Sequence, residues 1–280
     1  MYRSLLVAIL VLVQQPAIGW AGSTFTLGQP VPSDRRVSID QIDHAAWDVL
    51  LRKYCDDDGL VDYQSWHGSE QDRTTLTQYL AHLSRADPAR RAGKTERMAY
   101  WINAYNAVTI AGIMREYPTT SIRNHTARLV GYNIWKDLLL TVADHTYSLE
   151  QIEHEKLRKM GDARIHFAIV CASIGCPRLL NRAYVAGRLE EQLEGNAQNF
   201  FANRRNFRYD SVRRQVELSA ILQWYGDDFG SGRQALLSAI ADWLPDAAAR
   251  KLAASGQATI RYLDYDWNLN DQKTKKSHAE

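Results

Sequence analysis

The chain has 280 residues, of which 45% are hydrophobic and 24% charged, and its 34 Lys and Arg nearly balance 32 Asp and Glu for a formal net charge of +2. That balance gives no signature of a nucleic-acid binder or of a protein built for acidic ligands. Three cysteines, Cys55, Cys171 and Cys176, are too few for a disulfide scaffold, and no Cys-x-x-Cys or His-Glu-x-x-His spacing occurs, so neither a metal site nor a cofactor is indicated.

Residues 1–21 carry Arg3, an apolar core over 5–13 and a small-residue end at Gly19-Trp20-Ala21, which reads as a secretory signal peptide. The core is too short to span a bilayer, so the expected product has no stable membrane insertion and is periplasmic or secreted. Residues 22–38 are rich in Gly, Pro and Ser without period and are expected as an extended arm, before a globular domain over 39–269 and a disordered tail over 270–280.

Asp40 is placed to cap a helix with Ile42, Ala45, Ala46, Val49, Leu50 and Tyr54 at helical spacing. Asp56-Asp57-Asp58-Gly59 lacks the alternating register and terminal glutamate of a calcium loop, so a polar turn into a short strand over 60–63 is expected. Residues 71–85 read as a helix. The next helix, 95–116, is apolar around almost its whole circumference, which implies burial at the centre of the domain. Its Glu96, Asn103 and Asn106 are polar groups that burial would force into hydrogen bonds, either pinning neighbouring loops or flooring a pocket.

Tyr117-Pro118 stops that helix. Residues 135–142 and 146–147 predict a strand pair around Asp144-His145, and Ser148 with Gln151 predicts a capping box. Residues 165–172 form a short apolar run ending in Ser/Gly/Pro turn chemistry, read as a buried strand covered on both faces. A helix over 184–203, a hairpin over 207–218, a helix and loop over 219–229, helices over 234–244 and 246–254 and a strand over 258–263 complete the chain. The fold class is α+β: a helix-rich single domain with a small, mostly antiparallel sheet around a buried central helix.

Trp101-Ile102-Asn103-x-Tyr105-Asn106, Ile152-Glu153-His154, His166-Phe167-Ala168 with Cys176-Pro177-x-Leu179, and Tyr225 with Asp228-Phe229 together resemble the DUF547 domain over residues 96–229. The resemblance implies a shared fold and pocket, without implying an established reaction.

The chemistry that fits these residues is a cysteine-dependent hydrolase or acyltransferase, which needs a thiolate, a base and an oxyanion hole. Cys176, presented by the turn, is the expected nucleophile, with backbone N–H groups of the turn as the hole and Cys171 as a core residue. On a straight strand His166 and Ala172 lie about 20 Å apart, so His154 is expected as the base, oriented by Glu153 or Glu150. Asn103, Asn106, His166 and Tyr225 are expected to line the pocket, whose ligand is a small molecule or peptide carrying an amide or thioester. Two alternatives stand beside this: a Cys171–Cys176 disulfide that staples the turn, and a non-catalytic module that binds a ligand or protein through the same pocket.

Overall fold

The computed structural model describes residues 24–127 and 131–276, so residues 1–21, expected as a signal peptide, lie outside the described residues. Three helices lead into the centre: α1 (Ala45–Tyr54), α2 (Tyr63–Gly68) and α3 (Glu70–Leu83). Their starts follow local chemistry. The Asp62 carboxylate accepts the Ser65 N–H ahead of α2, and the Ser69 hydroxyl accepts the Asp72 N–H ahead of α3. Asp43, rather than the expected Asp40, serves the first helix by accepting the Ala45 N–H at 2.9 Å. The Asp56 carboxylate accepts the N–H groups of Asp58 and Leu60, which makes the triple-acid stretch the expected polar turn. The strand expected over 60–63 is reduced to isolated bridges at Val61, because Tyr63 already opens α2.

α4 (Lys94–Glu116) crosses the middle of the molecule, and every residue from Met98 to Ile110 is buried. An all-round apolar helix has no face to give to water, so helices, loops and a sheet pack about it. Two mixed three-stranded sheets take the place of one mostly antiparallel sheet. In the first, β1 (Phe25–Leu27) runs parallel to β2 (Leu138–Val142), which pairs antiparallel with β3 (His145–Ser148). The arm over 22–38 therefore contributes a strand. In the second, β4 (Phe207–Asp210) is antiparallel to β5 (Gln215–Leu218), which runs parallel to β6 (Thr259–Tyr262). The Ser148–Gln151 capping box forms in both directions. Asn270 and Asp271, expected in a disordered tail, are buried, and Asn270 joins the Tyr63 hydroxyl to the Gly59 carbonyl.

The run over 165–172 is no strand. Ala163–Phe167 is a 3₁₀ turn and the chain beyond it is irregular. A buried irregular chain must still satisfy its peptide groups, and here side-chain amides do so. Asn106 donates to the Ala168 carbonyl and accepts from the Val170 N–H; Asn103 does the same with the carbonyl and N–H of Tyr184. From the opposite side, the helix Leu189–Ala202 offers Asn196 to the Phe167 carbonyl, and Gln192 to the Ala183 carbonyl and the Val185 N–H. Four amides on two helices thus take over the role of a neighbouring strand. They also account for the later start of the helix expected over 184–203, since Tyr184 and Val185 are held in this clamp.

His44, at the entry to α1, adds a pH dependence to this fold. Its Nδ1 lies 2.7 Å from the Tyr79 hydroxyl, and burial pulls its pKa from 6.5 down to about 4. The folded state then binds this proton later than the unfolded state as pH falls. Stability is full above pH 6.5 and drains between pH 6.5 and 4, by about 3 kcal/mol at about 1.4 kcal/mol per unit. Urea unfolding at pH 7, 5 and 4 is expected to show this slope, and His44→Gln to flatten it; an equal slope in both proteins would assign the loss to other groups.

Candidate functional site

The chain after Val170 turns back sharply, and Ala172 takes a left-handed conformation (φ 56°) to do it. The turn that follows is sewn to the C-terminal segment: Ile174 and Gly175 donate to the carbonyls of Asn268 and Asp266, and Asn270 donates to that of Ala172. A Cβ on Gly175 would stand 2.9 Å from the Asp266 nitrogen, so only glycine permits this approach. The fold-back places Cys171 Sγ 2.8 Å from Cys176 Sγ, both as free cysteines.

Cys176 is buried among donors. The Cys171 N–H reaches its Sγ at 2.9 Å, the Tyr265 hydroxyl at 3.1 Å and the Ser173 hydroxyl at 3.4 Å. Burial raises the Cys176 pKa, but hydrogen bonds from Cys171, Ser173 and Tyr265 outweigh it and hold the thiol below its ordinary value. Cys171 moves the other way, well above its ordinary value, because it hydrogen-bonds Cys176 and is desolvated. One sulfur of the pair is thus set to be the thiolate and the other to keep its proton.

A cavity of about 260 Å³ opens over these sulfurs, lined chiefly by aromatic side chains, with Glu153, His166 and Ile169 on its wall. His166 stacks on Tyr225 at 4.1 Å, and its Nε2 lies 2.7 Å from Asp228 Oδ2. Arg158 grips that carboxylate with two bonds of 2.6 Å and holds its pKa down to about 2. Burial lowers the His166 pKa, while the Asp228 hydrogen bond pushes back. The result is a neutral imidazole backed by a fixed carboxylate. Glu153, buried, accepts from the Tyr105 hydroxyl at 3.3 Å.

Four of the seven residues expected at the site, Cys176, Glu153, His166 and Tyr225, line this one cavity. The other three do not. His154 is exposed and pairs with Arg158 at 3.0 Å. Its neighbour Glu153 faces inward from the π-helical segment Ile152–Leu157, so one of the two adjacent residues is buried while the other faces solvent. Asn103 and Asn106 are engaged with main chain, the pinning role, and α4 reaches the cavity through Tyr105 instead. Of the turn's N–H groups, those of Ile174, Gly175 and Cys176 cannot serve as an oxyanion hole, because they already donate to the carbonyls of Asn268, Asp266 and Ser173. The distance argument against His166 fails with the straight strand on which it rested.

Asp228, Arg158, Tyr265 and Cys171 complete the site without having been assigned to it from the sequence. Asp228 stood within a recognisable motif; Tyr265 belongs to an aromatic stretch, with Trp267, that the pairing of the Cys turn brings to the site. Among the described residues no group of three or more His, Cys, Asp or Glu could hold a metal ion, and no helix is long and apolar enough to cross a membrane.

No curated protein and no solved structure matches the chain. Residues 89–201, which span α4, Glu153, His166 and both cysteines of the turn, match the family model described as Protein of unknown function, DUF547, so the chain carries a DUF547 domain there, with Tyr225, Asp228 and Tyr265 added from beyond that segment.

Proposed function

We propose that the cavity is a thiol active site in which Cys176 attacks the carbonyl of an amide or thioester carried by a small molecule or peptide, as a hydrolase or acyltransferase. The observation that carries this reading is a thiol with three surrounding donors sharing one cavity with an imidazole backed by a carboxylate. A nucleophile needs a lowered pKa, and an acid–base partner needs orientation by a third group. Cys176 meets the first condition; His166, fixed by Asp228 and Tyr225, meets the second. His166 and Cys176 line the same cavity without a direct hydrogen bond, so in this reading the reacting group sits between them. The Tyr265 hydroxyl, which donates to the sulfur at rest, can turn that hydrogen to a developing oxyanion as the thiolate is consumed. The aromatic walls favour a substrate with a flat or apolar body. The apolar N-terminal stretch supports work in the periplasm or outside the cell.

The test is made on reduced protein. Iodoacetamide is expected to label Cys176 well before Cys55, whose thiol is pushed far up by burial, with a half-maximal rate below pH 8.5. Activated aryl esters and thioesters, offered in turn, are expected to leave an acyl group on Cys176 that mass spectrometry locates. Cys176 that labels only after denaturation, together with no acyl adduct, would remove the proposal.

A further inference from the structure

We infer that Cys171 and Cys176 are a redox-active dithiol that reduces small aliphatic disulfides, an activity beyond acyl transfer at the same cavity. The two sulfurs are in contact at 2.8 Å, five residues apart, at the bottom of an open cavity. The backbone holds them there through the left-handed Ala172 and the bonds from the turn to Asp266, Asn268 and Asn270, so closing the pair requires little movement of the chain. Their surroundings are asymmetric: both sulfurs meet the Ser173 and Tyr265 hydroxyls, but only Cys176 also receives a backbone donor, the Cys171 N–H at 2.9 Å. Such asymmetry assigns an attacking and a resolving sulfur. Exchange at sulfur also needs no oxyanion hole, which suits a turn whose Ile174, Gly175 and Cys176 N–H groups are engaged.

The reaction balances within the site. The Cys176 thiolate attacks one sulfur of the disulfide RSSR; the Cys176–SR bond forms, the RS–SR bond breaks, and RS⁻ leaves to take up the proton that Cys176 gave up. Cys171 then loses its proton and attacks Cys176 Sγ. The Cys171–Cys176 bond forms, and the second RS⁻ leaves with that proton. Two electrons pass from the protein dithiol to the substrate, which departs as two RSH. Because Cys176 is consumed in the closed form, the oxidised protein cannot carry out the acyl chemistry proposed above, and in this respect alone the inference rests on that reading.

The test uses the full chain, reduced, freed of reductant and mixed without air with bis(2-hydroxyethyl) disulfide, then quenched in acid, alkylated and digested. The expected result is a linked Cys171–Cys176 peptide and two molecules of 2-mercaptoethanol per chain, with Cys55 untouched. Cys171→Ser is expected to stop at a lasting mixed disulfide on Cys176, and Cys176→Ser to consume the disulfide at least about tenfold more slowly. A mixed disulfide that persists on Cys176 in the unaltered protein, or no loss of thiols, would overturn the inference, and neither outcome depends on a variant folding. Acylation of Cys176 is read on permanently reduced protein. A protein that acylates but does not close, and one that closes but does not acylate, therefore separate the failure of one idea from that of the other.

Discussion

Replacing Asn106 with alanine is expected to lower the unfolding free energy by about 4 kcal/mol, read as a lower urea midpoint at an unchanged slope. Asn106 is 1% exposed and holds two groups of the irregular chain, the Ala168 carbonyl at 2.9 Å and the Val170 N–H at 3.0 Å. Both groups would be left buried without partners, and each such orphan costs about 1–3 kcal/mol. Against a typical total of about 5–15 kcal/mol that is a large share. The substitution also frees the chain immediately before Cys171, so its sulfur is expected to lose its fixed distance to Cys176 and the dithiol to close more slowly. Asn106→Asp tests the same contact from another side: the acceptor for Val170 stays, the donor to Ala168 goes, and a charge is buried. A loss below about 1 kcal/mol in both variants would mean that water or a shifted backbone can serve these groups, and that the amide clamp does not hold the site.

The same clamp explains which parts of the fold could be read from the chain alone. α4 was legible because its apolar circumference is a property of one segment: expected over 95–116, it is found at Lys94–Glu116. The Ser148–Gln151 box and the hairpins at 138–148 and 207–218 were legible for the same reason. Residues 165–172 have the composition of a buried strand, but a strand is made by its neighbour. The partners here are amides from α4 and from the helix Leu189–Ala202, as many as 62 to 64 positions away from the groups they serve. Nothing in the run itself distinguishes an amide partner from a strand partner. The β1–β2 pairing, which joins Phe25 to Leu138 in parallel, was hidden in the same way inside a Gly- and Pro-rich arm.

At the site, membership of the recognised motifs did not decide which residues converge: Cys176, Glu153, His166 and Tyr225 meet, whereas roles that depend on which way a helix faces went astray. Glu153 and His154 are adjacent in the motif, yet one is 7% exposed and lines the cavity while the other is exposed to solvent and pairs with Arg158. Tyr265 was the hardest to foresee. It reaches Cys176 from 89 residues away, on a segment with no secondary structure of its own, and only the register of the Cys turn against Asp266 and Asn268 puts it there.

His166→Gln is expected to reduce turnover of any ester or thioester that acylates Cys176 by about a thousandfold or more, while His154→Gln changes it less than about threefold. The contrast follows from position. His166 lines the cavity with its Nε2 on Asp228, so the imidazole is held in one orientation and Nδ1 is its remaining ring nitrogen for proton transfer. His154 stands outside the cavity with its Nδ1 beside Arg158. Asp228→Asn should act through His166: the amide cannot hold the imidazole as a carboxylate does, and a loss of about a hundred- to ten-thousandfold is expected with Cys176 still open to iodoacetamide. The pH profile supplies the independent readout. His166 has its pKa lowered by burial and supported by Asp228, so loss of the carboxylate should move the acidic limb of the rate profile to lower pH. Retained turnover in His166→Gln together with lost turnover in His154→Gln would return the base to the exposed helix face and would require the Ile152–Leu157 segment to turn before reaction. Loss in neither would remove the acid–base partner altogether and leave a thiol that acts alone.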